Sequence, residues 1–205
     1  MKRLCLFLLF ITGLWLYPLV AFSQDYDDTP SEPVQTSGLD ESWAVRGHWF
    51  IEARFSASII TDRKDSSYFS ETLAGSMTVG YGLTQNLTLL VHVEQNGWHS
   101  EEYDAGWKSG VFNIGIGLDY QVFAPNVHIA ALLGPSILTF DTAFDEAGET
   151  GMFFDFAPLI IHWPVHKNWV ITFSAFGIHI DMPVTHNPML EYLQYRTSLG
   201  VMFVL

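Results

Sequence analysis

From Gly47 to Leu205, apolar and polar residues alternate in runs of about ten or more, the period of strands with one apolar and one polar face. The first run covers 47–60. Trp49, Ile51, Ala53, Phe55, Ala57 and Ile59 share one face, and Glu52, Arg54, Ser56 and Ser58 share the other with Phe50. The second covers 68–83, with Leu73, Met77, Val79 and Tyr81 opposite Thr72, Ala74, Ser76, Thr78 and Gly80. The third starts at Leu87 and sets Leu89, Val91 and Val93 against Thr88, His92 and Glu94. The fourth, 108–123, alternates most cleanly, with Ile114, Ile116, Leu118 and Tyr120 against Asn113, Gly115, Gly117 and Asp119.

The next three runs, 127–140, 151–163 and 169–180, are less regular. Pro135 predicts a bulge or an end of pairing in the fifth, and Pro158 blurs the register of the sixth. The eighth, 191–205, alternates again, with Tyr195, Leu199, Val201 and Phe203 opposite Gln194, Arg196, Ser198 and Met202. Short turns at 84–86, 124–126 and 164–168 separate pairs of runs, and long polar loops at 61–67, 95–107, 141–150 and 181–190 separate the rest. Eight antiparallel strands in up-and-down order predict a closed all-β barrel with both ends of the sheet on one side.

Alternation alone does not say which face is inside. Two features put the apolar face on the outside, against lipid. Trp49, Tyr81, Tyr120, Trp163 and Trp169 fall beside the short turns, and Tyr68, Trp98, Trp107, Phe140 and Tyr192 near the long loops, as two aromatic belts at two membrane interfaces would. The polar face is rich in Gly, Ser, Thr and Ala, and an eight-stranded barrel has room inside only for its own side chains.

Upstream, Lys2 and Arg3 precede an apolar run from Leu4 to Val20, and Ala21-Phe22-Ser23 supplies small residues for cleavage before Gln24, so 1–23 reads as a secretory signal. Residues 24–46 carry Asp25, Asp27, Asp28, Glu32, Asp40 and Glu41 against Arg46, with no periodicity, and read as an acidic disordered periplasmic tail. Cys5 is the one cysteine and leaves with the signal, so no disulfide or thiol chemistry is expected. A net charge of −13 argues against nucleic acid as a partner. No cofactor is expected.

The signal, the eight-strand meander and the alternating last strand together resemble the small outer-membrane barrels of Gram-negative bacteria, of the OmpA transmembrane domain, OmpX and OmpW kind. The resemblance spans Gly47 to Leu205 and is one of architecture. It implies a place in the outer membrane after signal cleavage, contact with membrane lipid and lipopolysaccharide, and delivery by the barrel-assembly machinery. Members of this group usually end in an aromatic residue that the machinery reads. Here the chain reads Phe203-Val204-Leu205, which departs from that pattern.

The charged residues expected in the lumen are Glu52, Arg54, Glu71, His92, Glu94, Asp119, Asp155 and Arg196. Burying charge in a narrow lumen is costly unless it is paired. Arg54 and Arg196 lie on the strands that meet on closure and have Glu52, Glu94, Asp119 and Asp155 within reach of the lumen. A charge plug is one reading and a narrow solute gate another. His92 and Glu94 share a face but are too few for a metal site, and none is expected. His99-Ser100-Glu101 holds the residue types of a hydrolytic triad, but adjacent residues cannot converge on one proton-transfer line. The acidic loops, such as Asp141, Asp145, Glu146 and Glu149, could attract divalent cations, although without the fixed spacing of a calcium loop. The function expected is therefore a non-enzymatic outer-membrane barrel with a structural or surface-interaction role through its acidic loops. A narrow channel or carrier for small or apolar solutes and a lipid-modifying enzyme are the alternatives.

Overall fold

In a computed structural model, residues 47–60, 71–99, 110–122, 124, 126–139, 147–184 and 192–205 are described. They form eight strands: β1 (Trp49–Ile60), β2 (Glu71–Gly82), β3 (Leu87–His99), β4 (Gly110–Gln121), β5 (Val127–Leu138), β6 (Thr150–His166), β7 (Trp169–Met182) and β8 (Tyr192–Val204). Each pairs antiparallel with its sequence neighbour, and β1 pairs with β8 to close the barrel. Closure removes both sheet edges, so every strand finds a ladder partner on each side. The signal and tail readings, 1–23 and 24–46, lie outside the described residues.

Short connections at 83–86, 122–126 and 167–168 all fall at one end, and the long ones at the other. At the first, the Thr84 hydroxyl accepts from the Leu87 amide at 3.0 Å and Leu83 N–H donates to the Leu87 carbonyl at 2.8 Å. At the last, Asn168 holds the final strand: its side-chain amide donates to the Val204 carbonyl at 2.7 Å, and its own carbonyl accepts from the Val204 amide at 2.9 Å.

The apolar face points outward. Ile116, Leu118, Leu199 and Val201 are exposed on the outer wall, and their inward neighbours are buried or nearly so. Inside, two apolar layers lie towards opposite ends. Phe50, Leu90, Ile160, Val170, Met202 and Val204 belong to a cluster that reaches the short-turn end, and Ile60, Trp98, Val111, Leu138 and Val184 pack together near the long loops. Glycines make room for the aromatic rings: a Cβ on Gly80 would collide with the Phe50 ring, and one on Gly115 with the Phe153 ring.

Two mid-strand bulges break the strict alternation, in addition to a register shift between Pro164 and His166 beside the last short turn. Ala130 pairs with Ala157 but His128 with Ile160, so β6 carries one extra residue around Pro158 and Leu159. Ser174 pairs with Ser198 but Gly177 with Arg196, so β7 carries one extra around Ala175 and Phe176. Each insertion flips the inward parity of its strand. Inward positions on β6 run Phe153, Asp155, Ala157, then Ile160 and His162; on β7 they run Val170, Thr172, Ser174, then Gly177, His179 and Asp181. Pro135 points outward and keeps its register with Met152, while on its other side the ladder to β4 skips Gly134 and Pro135 without a shift of register; the extra residue lies at Pro158. Three strands also outrun their expected limits. β3 continues to His99 and β7 to Met182, because Asn96, Trp98 and Asp181 still point into the barrel; β6 runs to His166, leaving a two-residue turn.

The sockets give a direct test. Gly80→Ala should cost about 1–3 kcal/mol by overpacking against Phe50. Gly75→Ala, at an outward position with open space around it, should stay within about 0.5 kcal/mol of the parent. Urea unfolding of both variants in lipid vesicles measures the difference.

Candidate functional site

The lumen is where the chemistry collects. Arg196, from β8, reaches across it and grips Glu94 of β3 with two hydrogen bonds, Nη1 to Oε2 at 2.6 Å and Nη2 to Oε1 at 3.1 Å. Nη1 also donates to Asp155 Oδ2 of β6 at 3.2 Å, and Nε to the Ser58 hydroxyl of β1 at 3.3 Å. This fork uses the planar geometry that distinguishes Arg from Lys, and it satisfies two carboxylates with one cation.

His179 of β7 extends the network. Its Nδ1 lies 2.8 Å from Asp155 Oδ2 and its Nε2 2.9 Å from Asp181 Oδ1. A neutral imidazole has one N–H, so only the doubly protonated ring donates to both carboxylates. Asp181 is the second hub. It accepts from Asn96 Nδ2 at 2.8 Å, Asn113 Nδ2 at 3.0 Å and Gln194 Nε2 at 2.7 Å, and Gln194 Oε1 in turn accepts from the Thr72 hydroxyl at 2.9 Å. Seven of the eight strands contribute a side chain to this continuous set, β5 being the exception.

A second group lies on β1 and β7. Arg54 binds both oxygens of Glu52 at 2.9 Å, and the Thr172 hydroxyl donates to the same carboxylate. His92 pairs with the Thr78 hydroxyl at 2.8 Å, with Glu94 3.8 Å from its other nitrogen. Asp119 joins neither arginine. Its Oδ1 sits 2.5 Å from His128 Nδ1, and the His128 ring stacks on His162 with centroids 4.1 Å apart.

Of the eight lumen residues expected from sequence, Glu52, Arg54, His92, Glu94, Asp119, Asp155 and Arg196 are buried or nearly so and point inward. Glu71 does not join them. It shares the parity of Leu73 and Met77 on β2 and is exposed on the outer face beside the long-loop end. Trp98 departs from the aromatic belt for the same reason. It sits on the inward parity of β3, fully buried, with its ring 4.7 Å from that of Tyr192. Trp49, Tyr120, Trp163 and Trp169 are exposed near the short turns, and Tyr81 packs on Trp49 with centroids 4.7 Å apart. Tyr68, Trp107 and Phe140 lie outside the described residues, as do Ser100 and Glu101 of the triad-like tripeptide and Asp141, Asp145 and Glu146 of the acidic loop.

Sequence reading missed His128, His162, His179, Asp181 and Asn96 as lumen groups. Asn96 and Asp181 stand on stretches read as loops. His162 and His179 lie beyond the bulges, where counting by twos gives the wrong face. His128 carried a usable signal, since it is two residues from Ala130 and four from Leu132 on an unbroken inward parity.

Among the described residues, a lumen cavity lined by Arg54, His92, Glu94, Asp155 and Arg196 among others has a volume of about 10 Å³. That holds about one water. At Gly75 an open groove of about 380 Å³ is lined by Met77, Val93, Gln95 and Phe112 of the wall and also by the inward Arg54, Ser76 and Glu94.

The network predicts a specific energetic pattern. Arg196→Met should cost about 3–5 kcal/mol, because it strands Glu94 in the lumen without its cation. Combining it with Glu94→Gln should recover part of that loss. A double-mutant cycle by urea unfolding reads the coupling directly.

Comparison with protein-family models finds no match, and comparison with curated proteins finds none either. Solved structures do match. The crystal structure of Ail, the attachment invasion locus protein of Yersinia pestis, superposes with a TM-score of 0.52 at 11% identity over 78% of this chain and 100% of Ail. The N-terminal β-barrel domain of Pseudomonas aeruginosa OprF gives a TM-score of 0.48 at 14% identity, over 78% of this chain and 98% of that domain. A de novo designed transmembrane β-barrel gives 0.42 at 14% identity, over 78% and 97%. The chain thus resembles, in architecture, the small eight-stranded barrels of bacterial outer membranes.

Proposed function

We propose that this chain is a non-enzymatic outer-membrane barrel with a sealed lumen, and that it acts through its long acidic loops and its outer wall. The observation that carries this reading is the filled interior: a seven-strand polar network between two apolar clusters, with a residual cavity of about 10 Å³. A hydrated ion needs a continuous path, and one water's worth of space offers none. The outward band of Ile, Leu, Val and aromatic residues supports a lipid-facing wall, since a bilayer tolerates strands only in a closed barrel.

On this reading the wall meets outer-membrane lipid, and the short turns face the periplasm. The long loops meet the lipopolysaccharide layer, their acidic residues screened from its anionic groups by divalent cations. The barrel-assembly machinery inserts the chain.

Two measurements test this. The full chain, processed and folded in a planar bilayer, should show no reproducible conductance steps. Regular steps would overturn the sealed lumen and favour a narrow solute channel. Ile116→Arg, at an exposed mid-strand position on the wall, should destabilise the barrel in a bilayer by about 2–4 kcal/mol. A change near zero would mean that this face does not meet lipid.

A further inference from the structure

The lumen network leaves one cluster unused. Asp119, His128 and His162 lie on three consecutive strands, β4, β5 and β6, at the short-turn end of the barrel. All three are buried, the two histidines to about 98%. Each offers one ligand atom, and the three atoms lie within 4.8 Å of one another. We propose that this Asp-His-His cluster is a binding site for a divalent transition-metal ion of the zinc type.

The donor set suits that chemistry. Zinc takes imidazole nitrogen and carboxylate oxygen at about 2.0–2.2 Å, and tetrahedral ligands at such distances stand roughly 3.3 Å apart. The observed spacing brackets that value, with the Asp119–His128 contact at 2.5 Å on the short side. In the metal-free state this contact is a hydrogen bond. Binding replaces this hydrogen bond, and a ring nitrogen that carries a proton is freed for the metal by loss of that proton or by its shift to the other ring nitrogen. Three protein ligands then leave a fourth position for water or an anion. The set has no thiolate, which favours a borderline cation over a soft one.

The backbone gives an independent reason to single out this cluster. Along β6 the inward positions are odd-numbered up to Ala157. Had that alternation continued, His162 would stand on the outer wall with Ile160. The extra residue at Pro158–Leu159 reverses the parity and puts His162 against His128. Bulges concentrate where a side chain must be re-aimed next to a functional site. The two imidazoles stack with centroids 4.1 Å apart. Arg54, whose charge acts on His162, is itself bound to both oxygens of Glu52.

The test uses the tag-free full chain, processed and folded in detergent, then stripped with EDTA. Cobalt(II) added alone should bind one equivalent with the visible absorption of a tetrahedral site, and zinc should displace it. His162→Gln should weaken binding by roughly 100-fold or more, as expected when one of three protein ligands is lost. His166→Gln, exposed beside the β6–β7 turn, should leave it unchanged. If His162→Gln fails to give the compact, heat-modifiable form of a folded barrel, Asp119→Asn takes its place with the same expectation. Absence of saturable one-equivalent binding to the parent chain overturns the site. So does binding that survives the loss of His162, because the ion is then held elsewhere.

Discussion

The structure turns on one constraint: an eight-stranded barrel has an interior with room for side chains and almost nothing else. Most inward polar groups must find partners among other inward groups, because so narrow a space leaves little room for solvent. Arg196 meets that constraint for the upper lumen. Its guanidinium answers Glu94 and Asp155 together, and through Asp155 the arrangement passes to His179 and Asp181. The strands are joined twice, once by the ladder of the wall and once by side chains across the interior.

The apolar clusters follow from the same limit. Trp98, Val111 and Leu138 near the loops and Phe50, Val170 and Met202 near the turns flank the charged middle, and in that dry setting each carboxylate depends on its paired cation and hydrogen bonds. The glycines at 80 and 115 are the complement of this packing, each giving up a side chain so that a ring can cross the lumen. The wall and the plug are therefore one design, in which small residues sit where large ones from the opposite side must end.

Much of this was legible in the alternation. On β1, β2, β3, β4 and β8 no bulge intervenes, and counting by twos assigns the inward face directly, including Glu52, Arg54, Glu94, Asp119 and Arg196. Glu71 follows the same rule, and its parity puts it outside although its charge suggests the lumen. Trp98 stands on a stretch that reads as loop, where the strand continues and its parity turns the ring inward. On β6 and β7 counting fails for a different reason. Nothing local in Ala175-Phe176 announces an inserted residue, and Pro158 announces an irregularity without giving its sign. His162, His179 and Asp181 lie beyond those points. Pair partners were the least legible feature, since which carboxylate meets which arginine depends on heights across the lumen that only closure sets.

The two bulges bear on function through what they bring inside. The one on β7 delivers His179 and Asp181 to the Arg196 network, where an imidazole between two carboxylates balances charge that one arginine cannot. The one on β6 delivers His162 to a place where it stacks on a second imidazole, itself bound to the Asp119 carboxylate. A purely structural lumen would be served as well by aliphatic residues at 128 and 162, which would require no partner for buried nitrogens. Where a strand departs from its register in order to bury a titratable ring, the departure needs a reason of its own. A cation shared by β4, β5 and β6 supplies one that packing alone does not.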